Sequence, residues 1–155
     1  MKNHFTLSAI VILLTLVVSC SKTNNYTNYF SFEKATYPVT INSRDTVHYT
    51  MTFADPTTSE TGTITCGFDT FSHLTSGQYK VVSGAITTTP GQMTLLLTVG
   101  LTTYNATGTD SVSANVTISP AGKFSISLPS VRVGGLNLSG APDTSNLAIH
   151  VTEIN

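Results

Sequence analysis

The chain has 155 residues, enough for one domain, with 7 Lys and Arg, 8 Asp and Glu and a net charge of −1. That balance excludes a basic nucleic-acid-binding face and an acidic solvating tail, and 2 Cys exclude a disulfide framework or a four-thiolate zinc site. Only 10% of residues are charged, and the missing polarity is hydroxyl, carried by 28 Thr and 17 Ser.

The first element is apolar. Met1-Lys2-Asn3-His4 is a short basic start, and Phe5 to Val18 is broken only by Thr6, Ser8 and Thr15. This run is shorter than the ~20 residues that a spanning helix needs, and it has the length of a secretory signal's apolar core. Val17-Val18-Ser19-Cys20 follows. It resembles the lipobox of bacterial lipoproteins: an aliphatic residue, a tolerant position, a small residue, then Cys. Leu is commonest at the first position, so Val17 is a slight departure. The resemblance implies that the Cys20 thiol receives a diacylglyceryl group, that cleavage falls between Ser19 and Cys20, and that the new amino group is acylated, giving a palmitate-type anchor. Residues 1–19 are therefore expected to be a helical lipoprotein signal peptide, 20–28 a polar tether and 29–155 the folded domain. In such lipoproteins Ser after the Cys (Ser21 here) goes with sorting to the outer membrane. The periplasmic or surface face stays open.

From Tyr29 onward the chain alternates apolar and polar residues with a period of two, which is the signal of strands with one buried face. Weak candidates open it at Tyr29–Phe32 and Tyr37–Ile41. Val47, Tyr49, Met51 and Phe53 then share a face, as do Ile64, Cys66 and Phe68. After a weak run over Gln78–Val82, Met93, Leu95, Leu97 and Val99 align, followed by a weak Leu101–Tyr104. Val112, Ala114, Val116 and Ile118 form the next face, then Phe124, Ile126 and Leu128, and last Leu147, Ile149 and Val151. Asp55-Pro56, Ser76-Gly77, Thr89-Pro90-Gly91, Pro120-Ala121-Gly122 and Gly134-Gly135 punctuate the pattern as turns. Ser119–Lys123 reads as a hairpin loop. No helical period appears after the signal. The expected fold is all-β: a single antiparallel sandwich or barrel of roughly 8–10 strands. Thr fits the outward positions because its β-branch favours the strand while its hydroxyl meets water.

The chemistry-bearing residues do not assemble in sequence. Cys66 sits on an apolar face and reads as a buried structural thiol, although His73 is near enough in the chain to be a partner. His48 and His150 fall on outward strand positions, and no His or Cys pair has metal-ligand spacing. The carboxylates lie mostly beside turns, and no nucleophile elbow or phosphate-cradling Gly loop occurs. No cofactor or metal is expected, nor catalysis. Asp45-Thr46-Val47 and Asp110-Ser111-Val112 resemble the Asp-(Ser/Thr)-aliphatic acceptor that some Gram-negative anaerobes O-glycosylate, marking Thr46 and Ser111 as modification candidates. Outward Thr61, Thr63 and Thr65 resemble an ice-binding ladder, but one strand of it is plain β-propensity. Carbohydrate binding would need stacking rings; there is no Trp, and Tyr26, Tyr29 and Tyr104 are the aromatics least committed to a core.

As a whole the chain resembles the small envelope lipoproteins of Gram-negative bacteria. It shares their aromatic opening (Tyr29-Phe30-Ser31-Phe32, then Tyr37-Pro38-Val39), a Ser76-Gly77-Gln78-Tyr79 turn into a strand, and a last strand pair around a Gly turn. The resemblance implies a compact β-domain on an outer-membrane lipid anchor. The expected function is a non-enzymatic binding or interaction module. The alternatives are a pilin-like or surface structural subunit and a lipocalin-like binder with a hollow interior. The membrane is the one partner implied, through the anchor.

Overall fold

The computed structural model describes residues 27–56, 61–72, 74–85, 87–108 and 111–154. The signal segment, Cys20, Tyr26, His73 and Asp110 lie outside the described residues. The strands are β1 (Tyr29–Phe32), β2 (Ala35–Pro38), β3 (Ile41–Asp45), β4 (Thr50–Asp55), β5 (Gly62–Gly67), β6 (Gly77–Val82), β7 (Gln92–Val99), β8 (Thr102–Ala106), β9 (Ser113–Ile118), β10 (Phe124–Leu136) and β11 (Pro142–Thr152). The all-β expectation holds, and among the described residues 11 strands, more than the expected 8–10, join in one sheet. Alternation works as read: Met51 and Phe53, Ile64 and Cys66, Met93, Leu95 and Leu97, Phe124, Ile126 and Leu128, and Leu147, Ile149 and Val151 are all buried.

The strand order is β2-β1-β11-β10-β9-β6-β7-β5-β4-β3, with β8 pairing β10 and β7 off that path. Two long strands explain this branching. The first half of β10 pairs with β9 and its second half with β8. The first half of β7 pairs with β6 and its second half with β8. Two strands therefore fill the space between β10 and β7 at one end, and one strand fills it at the other. This taper forces the sheet to curve.

The curved sheet rolls until its far strands meet. Just past β11, Ile154 N donates to the side-chain oxygen of Asn42 on β3 at 2.6 Å. The Arg44 guanidinium donates to Glu153 Oε2 at 2.6 Å and to Gly122 O at 3.2 Å, while lying 4.5 Å from the centre of the Phe124 ring. Arg44 thus fastens β3 to the β9–β10 turn and to the C-terminal end of β11. The roll encloses Phe30, Phe53, Phe68, Met51, Ile64 and Leu95, each fully buried. Burial of side chains this large contributes about 1.5–3 kcal/mol apiece.

Several local expectations change. One neighbour pair is parallel: β6 and β7 align as Lys80↔Gln92, Val81↔Met93 and Val82↔Thr94. The connection between them loops back instead of forming a hairpin, held by Thr94 Oγ1 to Ala85 O and Thr87 Oγ1 to Gln92 Oε1. The run from Val47 is a turn up to Tyr49, so His48 is in that turn and Val47 is 76% exposed. The reason is Asp45, whose Oδ1 accepts from both Val47 N at 2.8 Å and His48 N at 3.1 Å. That local bonding competes with the sheet ladder. Gly134-Gly135 is not a turn but runs inside β10 opposite Asn105 and Tyr104 of β8. The turn comes later, at Asn137–Gly140. The Ser119–Lys123 hairpin forms as expected, with Gly122 at φ 77° and Ser119 N donating to Lys123 O at 2.9 Å.

The hydroxyl-rich surface makes its own cross-strand pairs. Thr52 and Thr65 hydroxyls meet at 3.1 Å, and Ser125 and Thr152 at 3.0 Å. Such pairs add a few tenths of a kcal/mol, up to about 1, where charged pairs would otherwise serve.

Candidate functional site

Three hairpin turns converge on one cleft: those between β1 and β2, β7 and β8, and β10 and β11. The β10–β11 turn is built by Asn137, whose Oδ1 accepts from Ser139 N at 3.1 Å, Ser139 Oγ at 2.6 Å and Ala141 N at 2.9 Å. Gly140 at φ 79° completes it. These bonds use up the local polar groups and leave Leu138 82% exposed. The β7–β8 turn has Gly100 at φ 57°, its N–H bonded to Thr61 O at 3.1 Å, and presents Leu101 at 90% exposure. The β1–β2 turn presents Glu33, also at positive φ, 55°.

The cleft measures about 440 Å³ and is lined by Phe32, Tyr37 and Tyr104 below and by Glu33, Leu101 and Leu138 at the rim. Its volume falls in the small-molecule range of roughly 300–1,000 Å³. The floor is rigid. The Tyr37 ring stacks on Phe30 at 4.9 Å, and Phe32 lies 4.7 Å from Tyr104. Gly62 makes the stack possible, because a Cβ there would come within 2.6 Å of the Tyr37 ring. Tyr104 was read as loosely committed but is buried, and its hydroxyl donates to Asp143 Oδ2 at 3.0 Å. Withdrawal from water, then the Asp143 bond and charge and the Glu33 charge, push that hydroxyl up to about 12. It therefore stays protonated at neutral pH.

The other candidates from the sequence are dispersed. Cys66 is buried, and burial pushes its thiol up to about 12, the opposite of an activated nucleophile. A water-soluble thiol reagent is expected to leave Cys66 unlabelled in the native protein and to label it within minutes in denaturant, read by mass spectrometry. Fast native labelling would mean that β5 opens. Thr46 is exposed at the start of the β3–β4 turn. Its neighbour Asp45 is tied to that turn, with His48 Nδ1 donating to Asp45 Oδ2 at 2.7 Å. The His48 side-chain bond, followed by the His48 and Val47 backbone bonds, holds the Asp45 carboxyl below its ordinary value. Ser111 is exposed just before β9. Thr46 and Ser111 are both sterically open to modification. His150 is exposed on β11, with its ring 5.8 Å from Tyr29. Among the described residues no three His, Cys, Asp or Glu gather as metal ligands.

Sequence reading missed Glu33, Leu101 and Leu138. The available signal was a large apolar residue at a turn tip, as in Gly100-Leu101 and Asn137-Leu138-Ser139-Gly140. Single exposed apolar residues are common, and only the fold shows that these share a cleft. Comparison with protein-family models, with curated proteins and with solved structures finds no match to this chain.

Proposed function

We propose that this protein is a lipid-anchored cell-envelope module, held at the outer membrane through Cys20, that binds a small ligand in the hairpin-tip cleft without chemical turnover. The observation that carries this reading is the pairing of an ordered aromatic floor with two nearly fully exposed leucines over a cleft of small-molecule size. Asn28 leads into β1 at the end of the strand remote from Glu33 and the cleft.

The alternatives fare less well. A lipocalin-like site would need space where Phe30, Phe53, Phe68 and Met51 pack. A strand-exchanging subunit would need a removable terminal strand, whereas β11 is hydrogen-bonded to β1 on one edge and β10 on the other.

The reading is tested with 3-phenylpropanol and the full chain in lipid nanodiscs, observed by methyl NMR with empty discs as control. Saturable shifts of the Leu101 and Leu138 methyls are expected, with Leu95 and Leu147 unmoved. Shifts confined to Leu95 and Leu147 would favour an interior site, and no shifts at all would remove the cleft from consideration.

A further inference from the structure

We infer that the cleft takes a small amphipathic amine, its apolar body on Phe32, Tyr37 and Tyr104 between Leu101 and Leu138, and its ammonium beside Glu33. This rests on the binding role proposed for the cleft and adds the chemical class of the ligand.

The polarity of the cleft is one-sided. Glu33 lines it, and the described residues give Glu33 no ion-pair partner. Asp143 stands behind Tyr104, accepting its hydroxyl proton in a hydrogen bond at 3.0 Å. The Glu33 charge also acts on that hydroxyl. Because Tyr104 donates to Asp143, its oxygen presents lone pairs and not a proton to other partners. An ammonium N–H would match such an acceptor. The cleft lining holds no Lys or Arg. An anionic ligand would meet repulsion from Glu33, and a neutral one would gain no charge attraction from it.

The aromatic floor suits the same ligand. A cation near the faces of Phe or Tyr is attracted by the ring quadrupole, more strongly where water is excluded. Phe32 and Tyr104 are both buried, with ring centres 4.7 Å apart. The cleft lining thus combines aromatic rings and a carboxylate, the two features that bind an ammonium carried on an apolar body.

The backbone at Glu33 is an independent observation. Phe32 pairs with Ala35, so Glu33 and Lys34 are the two turn residues, and Glu33 takes φ 55°. Hairpin turns place Gly or Asn where φ is positive. Glu is a strained choice there for the fold, and the choice puts a carboxylate at the cleft rim.

The test compares 3-phenylpropylamine, 3-phenylpropanol and 3-phenylpropanoate at pH 7, with the full chain in neutral-lipid nanodiscs and Leu101 and Leu138 methyl shifts as readout. The amine is expected to bind about tenfold tighter than the alcohol, with the propanoate weakest. Glu33→Gln should bring the amine down to the alcohol's affinity and leave the alcohol unchanged. Glu33→Gly should do the same while raising the melting temperature, which separates lost charge from lost fold. Equal binding of amine and alcohol, or an amine preference that survives Glu33→Gln, would overturn the inference while leaving the cleft as a binding site. If none of the three compounds shifts the cleft methyls, the binding role itself fails, and the inference with it.

Discussion

Cys20→Ala is expected to move the protein almost completely from the membrane to the soluble fraction. Acyl burial is worth about 0.8 kcal/mol per CH₂, and one chain alone binds only marginally. Two or three chains on one residue hold a protein for its lifetime, so removing the thiol that carries them should abolish retention. Cys20→Ser should behave in the same way, because the chemistry needs sulfur. The measurement is fractionation followed by immunoblotting, with incorporation of labelled palmitate as a second readout. An unchanged membrane fraction would show that the Val17-Val18-Ser19-Cys20 box is incidental. Unchanged retention without palmitate label would point to the apolar run at Phe5–Val18 as an uncleaved anchor.

The second large effect is expected at Gly135. A Cβ there would collide with the Thr103 carbonyl oxygen and stand 2.9 Å from the Tyr104 ring. The obstruction is backbone, which cannot turn aside as a flexible side chain does. Relief requires β8 to separate from β10, across the pairs Val133↔Ala106, Gly134↔Asn105 and Gly135↔Tyr104. At that end of the roll β8 alone bridges β10 and β7. Its displacement would open the narrow side of the taper and drop Tyr104 from the cleft floor. Overpacking costs about 1–3 kcal/mol, and Gly135→Ala should lie at or above the top of that range. This corresponds to a fall in melting temperature of roughly 10 °C or more. Gly134→Ala is the control: its Cβ would meet the Thr107 and Thr144 methyls at 3.3 and 3.6 Å and the Asp143 carbonyl oxygen at an ordinary 3.7 Å. Thermal melts in which the two variants match would disprove the role given to Gly135.

Alternation carried most of the fold into the sequence, and its failures have local causes. In β10, Phe124, Ile126 and Leu128 are buried in step, and then Val131 and Val133 continue one residue out of phase. The register shifts between Leu128 and Val131, around Pro129, which has no N–H to give the ladder. The alternation therefore breaks at the bulge while the strand goes on, and Gly134-Gly135 reads in the sequence as the turn that ends it. Val47 and Tyr49 show the reverse error: they kept the phase of Met51 and Phe53, but Asp45 bends the chain with side-chain bonds that alternation does not register. The opening half of β11 is polar, from Pro142 to Asn146, and gave no signal. Cys66 was legible because its neighbours two residues away are Ile64 and Phe68. The cleft was not legible, because Glu33, Leu101 and Leu138 lie far apart in the chain and meet only once the sheet has rolled.

The Asn28–Thr152 clamp has a mechanical consequence. Asn28 Nδ2 donates to Thr152 O at 3.1 Å, and Thr152 N donates back to Asn28 Oδ1 at 2.8 Å. Beyond this pair, β1 is hydrogen-bonded between β2 and β11. Were the chain held at a membrane through the residues before Asn28, as proposed, drag on the domain would load β1 through Asn28 and across its ladder bonds. Those bonds would be loaded together in shear, not peeled one at a time. Among the described residues the last strand would thus brace the first against tension applied at Asn28.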